Sequence, residues 1–179
     1  MSKAQQTREK LLRQARLQFW ANGYSNVSVR QIAKAAGVDV ALISRHFGSK
    51  LGLFEASVEG AFSLLDTPPQ NEAELVDLFV RVYAETPRNT NEPSAFRMLL
   101  TNAHDEEVGD RVRGLYDQSV QKLLRDILGV ERAALFAAVL FGISLVEKSL
   151  LVDGIADPSS ETYRIQLRHM MGAALEYQS

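Results

Sequence analysis

The chain has 179 residues, no cysteine, a net charge of −2 and 46% hydrophobic residues. Lack of cysteine excludes disulfides, thiolate metal sites and cysteine nucleophiles, while the length allows a proper core in one domain or two small ones. The small net charge conceals opposite ends: residues 1–50 carry nine Lys or Arg against two Asp or Glu, and residues 51–179 carry eleven against twenty. A basic N-terminal third can meet a phosphate backbone; the acidic remainder is poorly suited to do so.

Residues 1–10 are polar, so no leader peptide is expected. The longest apolar run, Ala133 to Val146, is interrupted by Gly142 and Ser144 and is too short to span a bilayer. The expectation is a cytoplasmic protein without a membrane partner.

Helical periodicity is nearly continuous and strand signals are scarce, which predicts an all-α chain of about nine helices. The first runs from about Lys3 to Ala21, with Leu12, Ala15 and Phe19 inward, Lys10, Arg13 and Arg16 outward, and Asn22-Gly23 as its stop. Ser28 caps the second, whose Val29, Ile32, Ala33 and Ala36 share one face. Gly37 supplies a positive φ at its end, with Val38 as a plug for the shared core. Asp39 caps a third helix, with Ile43 and Phe47 inward. Helix, glycine turn and helix form the unit that lays its second helix in a DNA major groove.

Ser49 caps a fourth helix carrying Phe54, Val58 and Phe62, expected to run on until Thr67-Pro68-Pro69. The fifth covers Glu72 to Glu85 with Leu75, Leu78, Phe79 and Val82 inward. Pro87 and Pro93 bracket a polar loop before a short helix from Ser94 to Ala103. A seventh is expected from Asp105 to Gly129, and an eighth from Glu131 to Val152, closed by Asp153-Gly154. A ninth, opened by Asp157-Pro158, reaches Tyr177. Domains are drawn at 1–48 and 49–179.

Three features resemble the tetracycline-repressor (TetR) family of bacterial transcriptional regulators. They are a first helix ending in FWANGYSNVSV, the IAKAAGV turn, and HFGSK followed by an apolar helix. The resemblance covers a little over a quarter of the chain; beyond Phe62 only length and helical layout match. It implies three DNA-binding helices, with the rest binding an effector and a second subunit.

Phosphate contacts position such a protein and base contacts give it sequence preference. Helix N-termini are natural anion sites, which suits Ser28 and Ser49-Lys50. The resemblance implies that Ser28 and Lys50 clamp the backbone on either side of the groove. His46 stands where the family has a phosphate-contacting aromatic or His; a structural His beside Phe47 is the alternative. Base contacts are expected from Val40, Ala41, Leu42, Ser44 and Arg45 of the third helix and from Arg30 and Gln31 of the second. Arg pairs with guanine, Gln with adenine, and Val or Ala packs on a thymine methyl. For Arg30 and Arg45, a phosphate contact or a solvated side chain is the alternative. The family's usual Tyr is here Ser44, and its usual Ser or Thr cap is Asp39, which sets a negative charge near the duplex.

One helix-turn-helix covers few base pairs, so such modules act as dimers on palindromic duplex operators. Ala134, Ala138 and Gly142 give the eighth helix a smooth stripe. Tyr163, Leu167, Met170, Ala174 and Tyr177 give the ninth a packing seam. A homodimer interface is expected there, with the subunit's own core as the alternative. By resemblance, the helices between the head and this interface hold a small hydrophobic effector of unknown identity. Phe62, Phe79, Tyr83, Phe96, Met98, His104 and Tyr116 are its candidate lining, against ordinary core packing. No cofactor is expected. His104-Asp105-Glu106-Glu107 reads as an acid-rich helix start rather than a metal site.

The expected function is a ligand-responsive repressor, with a regulator or activator lacking an effector as the alternative. An enzyme finds no support: there is no phosphate-binding glycine loop, no metal-ligand cluster and no nucleophile paired with a base. A helical interaction module that no longer binds DNA gains a little from Ser44 and loses more to the basic head.

Overall fold

The computed structural model describes residues 2–63, 68–85, 92–148 and 150–177. Among these there are ten α-helices and no strand. They are α1 (Lys3–Asn22), α2 (Val29–Ala36), α3 (Ala41–Phe47), α4 (Lys50–Val58), α5 (Glu72–Glu85), α6 (Ala95–Asn102), α7 (Gly109–Tyr116), α8 (Lys122–Leu128), α9 (Val130–Lys148) and α10 (Glu161–Leu175).

The helices divide into two compact units. One comprises Met1–Ser63 and Thr90–Tyr116; the other comprises Leu64–Asn89 and Asp117–Ser179. The break in packing therefore does not follow the functional boundary drawn at residue 48. In the first unit α1 is the hub, packed on α2, α4 and α6, while α3 leans on α4 and α6 on α7. Leu11, Ala15 and Phe19 are its inward face. Leu12 is only half-buried, which corrects the predicted register by one residue. Phe19, Tyr24 and Phe54 form an aromatic cluster with centroids 5.2 to 5.6 Å apart. Burial of Phe19 and Phe54 contributes on the order of 2–3 kcal/mol each.

In the second unit α9 packs on α8 and α10, and α10 on α5. Phe79 and Phe136 meet at 5.8 Å, and the hydroxyl of Tyr83 donates to the Leu140 carbonyl at 2.6 Å. Tyr163, Leu167, Met171 and Ala174 complete this core.

Caps set most helix limits where the sequence places them. Ser28 and Gln31 form a reciprocal capping box, and Gly37 (φ 68°) closes α2 in the left-handed region. Ser94 caps α6. Other limits differ. The fourth helix ends at Val58, short of Phe62, where Gly60 turns the chain at φ 71°. The predicted seventh helix begins at Gly109 rather than Asp105 and is interrupted by a π-helical turn at Asp117–Gln121, which makes nine helices ten. The eighth stops at Lys148 rather than Val152. The last begins at Glu161, capped by Ser160 rather than opened by Asp157-Pro158. Thr67 and Pro87, named as breakers, lie outside the described residues.

Candidate nucleic-acid interface

The exposed face of α3 is made by Val40, Ala41, Ser44 and Arg45, with Ile43 buried beneath. Leu42 and His46 are half-buried on its flanks, and the His46 ring lies 6.1 Å from Phe47. The rotation of the helix within the head, which periodicity alone left open, is set by Ile43 and Phe47. The helix start is held by Asp39, whose carboxylate accepts the Ala41 N–H at 2.7 Å. Val40 already has helical backbone (φ −60°, ψ −30°), so Asp39 caps this helix as the sequence predicts.

The helices before and after α3 in the chain both open on a serine cap. At α2, the Ser28 hydroxyl accepts the Gln31 N–H at 3.2 Å and the Gln31 amide oxygen accepts the Ser28 N–H at 2.8 Å. This leaves the amides of Val29 and Arg30, the first two of the helix, for solvent or an anion. Arg30 and Gln31 are both exposed. The oxygen of Gln31 is engaged in the box, so only its amide N–H groups remain to offer.

At α4, the Ser49 hydroxyl accepts the Gly52 N–H at 3.0 Å. Lys50 is half-buried, with its ammonium 4.1 Å from the centroid of Tyr24. The ring face attracts the cation and holds the long side chain against the head. Gly52 makes this corner feasible. A Cβ there would stand 2.1 Å from the Phe47 carbonyl oxygen, so the start of α4 can approach the end of α3 only without a side chain.

Behind Lys50 lies a hydrogen-bonded brace. Asn102, fully buried, accepts the Tyr24 N–H at 2.7 Å and donates to the carbonyls of Phe19 and Met98 at 3.1 and 2.9 Å. Ser25 donates to Asp105 through its N–H at 3.1 Å and its hydroxyl at 2.7 Å. The Tyr24 hydroxyl donates to Glu107 at 2.7 Å. Burial, then the bond to Glu107 and the charges of Glu107, Asp105 and Glu55, push the Tyr24 phenol far above its ordinary range. Asp105 and Glu107 are thus partners of the turn between α1 and α2, which a reading of residues 104–107 as a helix start did not anticipate. Among the described residues no group of three or more His, Asp or Glu could hold a metal ion.

Arg8 also escaped the sequence reading. Its guanidinium lies 5.3 Å from the Phe47 ring centroid, which brings a basic side chain of α1 beside the end of α3. No local spacing joins residues 8 and 47. Arg16, expected to face outward, is exposed but occupied. It donates to the carbonyls of Ser57 at 3.0 Å and Glu59 at 3.3 Å, closing the C-terminal end of α4.

The candidate effector residues do not gather within one unit. Phe62, Phe96, Met98, His104 and Tyr116 belong to the first, Phe79 and Tyr83 to the second. Phe79, Tyr83 and Met98 are packed core, and His104 is exposed. Phe62 and Tyr116 are half-buried and meet edge to face at 5.9 Å.

The candidate dimer residues also divide. Ala134 and Ala138 are exposed and Gly142 is half-buried, on the outward side of α9. Tyr163, Leu167 and Ala174 are buried in the subunit's own core, so the predicted seam on α10 is internal; Met170 is half-buried and Tyr177 exposed. The outward face of α10 instead carries Ile165, His169 and Ala173. A helix apolar on both sides does not reveal from spacing alone which side the subunit keeps.

Comparison with known proteins agrees with this geometry. Residues 11–57 match the sequence pattern of the tetR family of bacterial regulatory proteins. The HTH-type transcriptional regulator TcmR of Streptomyces glaucescens is 33% identical over 128 residues, covering 72% of this chain and 52% of that protein. The chain thus spans about half the length of this curated relative. NalD, the secondary repressor of the MexAB-OprM multidrug efflux pump in Pseudomonas aeruginosa, superposes with a TM-score of 0.66 at 19% identity. That match covers 96% of this chain and 98% of NalD. A TetR-family transcriptional regulator from Streptomyces coelicolor also gives 0.66, at 21% identity over 96% of this chain and 97% of its own. At such identities the structures speak for the fold. Head, sequence pattern and fold agree: the chain belongs to the TetR family of bacterial regulatory proteins.

Proposed function

We propose that the protein is a transcriptional regulator that binds palindromic duplex DNA as a homodimer and represses by occupying its operator. The observation that carries this is the exposed face of α3, with Arg45 upon it, in a head whose α2 and α4 open on the Ser28 and Ser49 caps. Arg45 and Arg30 read base edges, Val40 and Ala41 pack on thymine methyls, and Ser28, Lys50 and the first amides of α2 hold phosphates. Ser44, exposed but short, makes a nearer contact than a tyrosine would. His46 and Leu42 are flank residues, His46 for a phosphate and Leu42 for apolar contact.

The dimer surface is the outward side of α9, where Ala134, Leu135, Ala138 and Leu145 form an apolar strip, continued on α10 by Ile165. No helix among the described residues is long and apolar enough to cross a membrane, so this apolar surface suits another protein surface. The test is fluorescence anisotropy with random and selected duplexes over a salt series. We expect binding to random duplex that falls steeply with salt, and tighter binding to a selected palindrome. No duplex binding at low salt would overturn the reading.

A small effector that binds two states of the dimer unequally would relieve repression. A regulator without small-molecule input is the second reading, favoured by the close packing of Phe79, Tyr83 and Met98, which leaves their side chains no free surface for a ligand. Thermal melts across a metabolite library separate the two: stabilisation by a compound that also releases DNA supports the first.

A further inference from the structure

In the second unit a groove of about 530 Å³ runs between α5 and α10. Across it Asp77 of α5 pairs with Arg168 of α10. One turn along, the same two helix faces present Arg81 and Arg164. Arg81 stands one turn after Asp77 on α5 and Arg164 one turn before Arg168 on α10, and all four line the groove. The first position is a matched pair and the second sets two guanidinium groups on one groove. Neither Arg81 nor Arg164 has a hydrogen bond or carboxylate partner among the described residues. The other acid in the lining, Glu74, is occupied at the start of α5, accepting from the Gln70 N–H at 2.8 Å and the Asn71 amide at 2.9 Å. Leu78, Val80 and Pro69 close its floor with little exposed surface, and exposed Pro68 and the aliphatic stems of the arginines supply its apolar lining.

Two like charges facing one cleft repel, and an anion between them removes the repulsion while gaining forked hydrogen bonds from each guanidinium. The volume lies within the range of small-molecule sites, and the apolar walls favour a ligand with a hydrophobic body over a bare inorganic ion. We propose that this groove binds a small organic anion, a carboxylate on a ring-sized apolar body, with Arg81 and Arg164 on the carboxylate and Pro68 and the arginine stems against the body. The groove contains none of the seven residues read as effector lining, and the proposal does not depend on the protein binding DNA.

The probe is 2-naphthoate, with neutral 2-naphthamide as its isostere, titrated into the full chain by calorimetry and by amide NMR. We expect one naphthoate per chain, at least tenfold weaker binding of the amide, and shifts at the amides of Leu78 and Val80. Replacing both arginines by methionine (R81M with R164M) keeps the aliphatic stems and is expected to weaken naphthoate at least tenfold; R81M alone, at an exposed position, guards against misfolding. Equal affinity for acid and amide, undiminished affinity in the variants, or no binding at millimolar naphthoate would each overturn the site. Duplex binding is measured on the same samples. Its loss would count against the regulator reading and leave this one standing, and the reverse outcome is equally distinct.

Discussion

The phenol of Tyr24 donates to the carboxylate of Glu107, 83 positions along the chain, at 2.7 Å. The same tyrosine lends its ring to Lys50 and its N–H to Asn102. One residue therefore joins the Lys50 corner of the head to α6 and to the segment between α6 and α7.

Loss of Asn102 should be costly. Asn102→Ala leaves the buried Tyr24 N–H without an acceptor and opens a small cavity, so we expect a loss of about 2–3 kcal/mol. Tyr24→Phe keeps the ring under Lys50 and frees an exposed carboxylate to solvent, for about 1 kcal/mol. Urea unfolding of the two variants checks the order; an Asn102→Ala no worse than Tyr24→Phe would count against the brace.

Stability should fall in acid through Asp105. Burial opposes its ionisation but is outweighed by hydrogen bonds from the Ser25 hydroxyl and the N–H groups of Glu107, Val108 and Ser25, so its carboxyl lies below the ordinary value. A depressed folded-state value means that the contribution is complete above about pH 4, the unfolded value, and disappears as pH falls through the lower folded one. In Asp105→Asn the acid limb of the stability curve should be shallower than in the parent. Parallel limbs from pH 5 to pH 2.5 would remove Asp105 from this role.

Lys50→Ala should weaken binding to every duplex alike and reduce the salt slope by about one, as expected for one released counterion. Anisotropy titrations at several salt concentrations read both quantities. An unchanged slope would mean that the ammonium stays on Tyr24 in the complex.

Gly52→Ala places a methyl group against the Phe47 carbonyl. The corner between α3 and α4 must open, at a cost of about 1–3 kcal/mol by the measure of overpacked sites. Duplex affinity should fall with it, because Ser49 and Lys50 move. A variant with parental melting temperature and affinity would show the corner to be looser than described.

Ala138→Glu sets a charge in the apolar strip of α9. Sedimentation should then report single 19.9-kDa chains, where we expect the parent to sediment as pairs. A variant that still pairs at micromolar concentration would place the interface elsewhere.

Much of the head was legible in the sequence because its limits are written in local chemistry. Ser28 with Gln31, Gly37 and Ser49 act within four residues of themselves, and the structure finds each where capping rules put it. Leu11 and Leu12 are the opposite case: adjacent leucines fit nearly the same periodicity, and only the neighbour that α1 meets decides which is core. The α10 seam failed for a related reason, since Tyr163, Leu167 and Ala174 satisfy a packing rule that does not say whose core is being packed. Asn102, Asp105 and Glu107 were invisible as a brace because their partners lie about eighty residues away, and polar residues in a loop carry no mark of that. The groove arginines were equally silent, since 81 and 164 meet only through the pairing of α5 with α10.

The first unit is stitched from two stretches of chain with α5 between them. A nascent polypeptide that has released only α1 to α4 has α3 but not yet Asn102, so the turn at Tyr24 waits for later synthesis to be fastened. Transplanted without α6, the head would lose both the cover and the acceptor that Asn102 gives the Tyr24 N–H, and a foreign scaffold would have to supply a substitute.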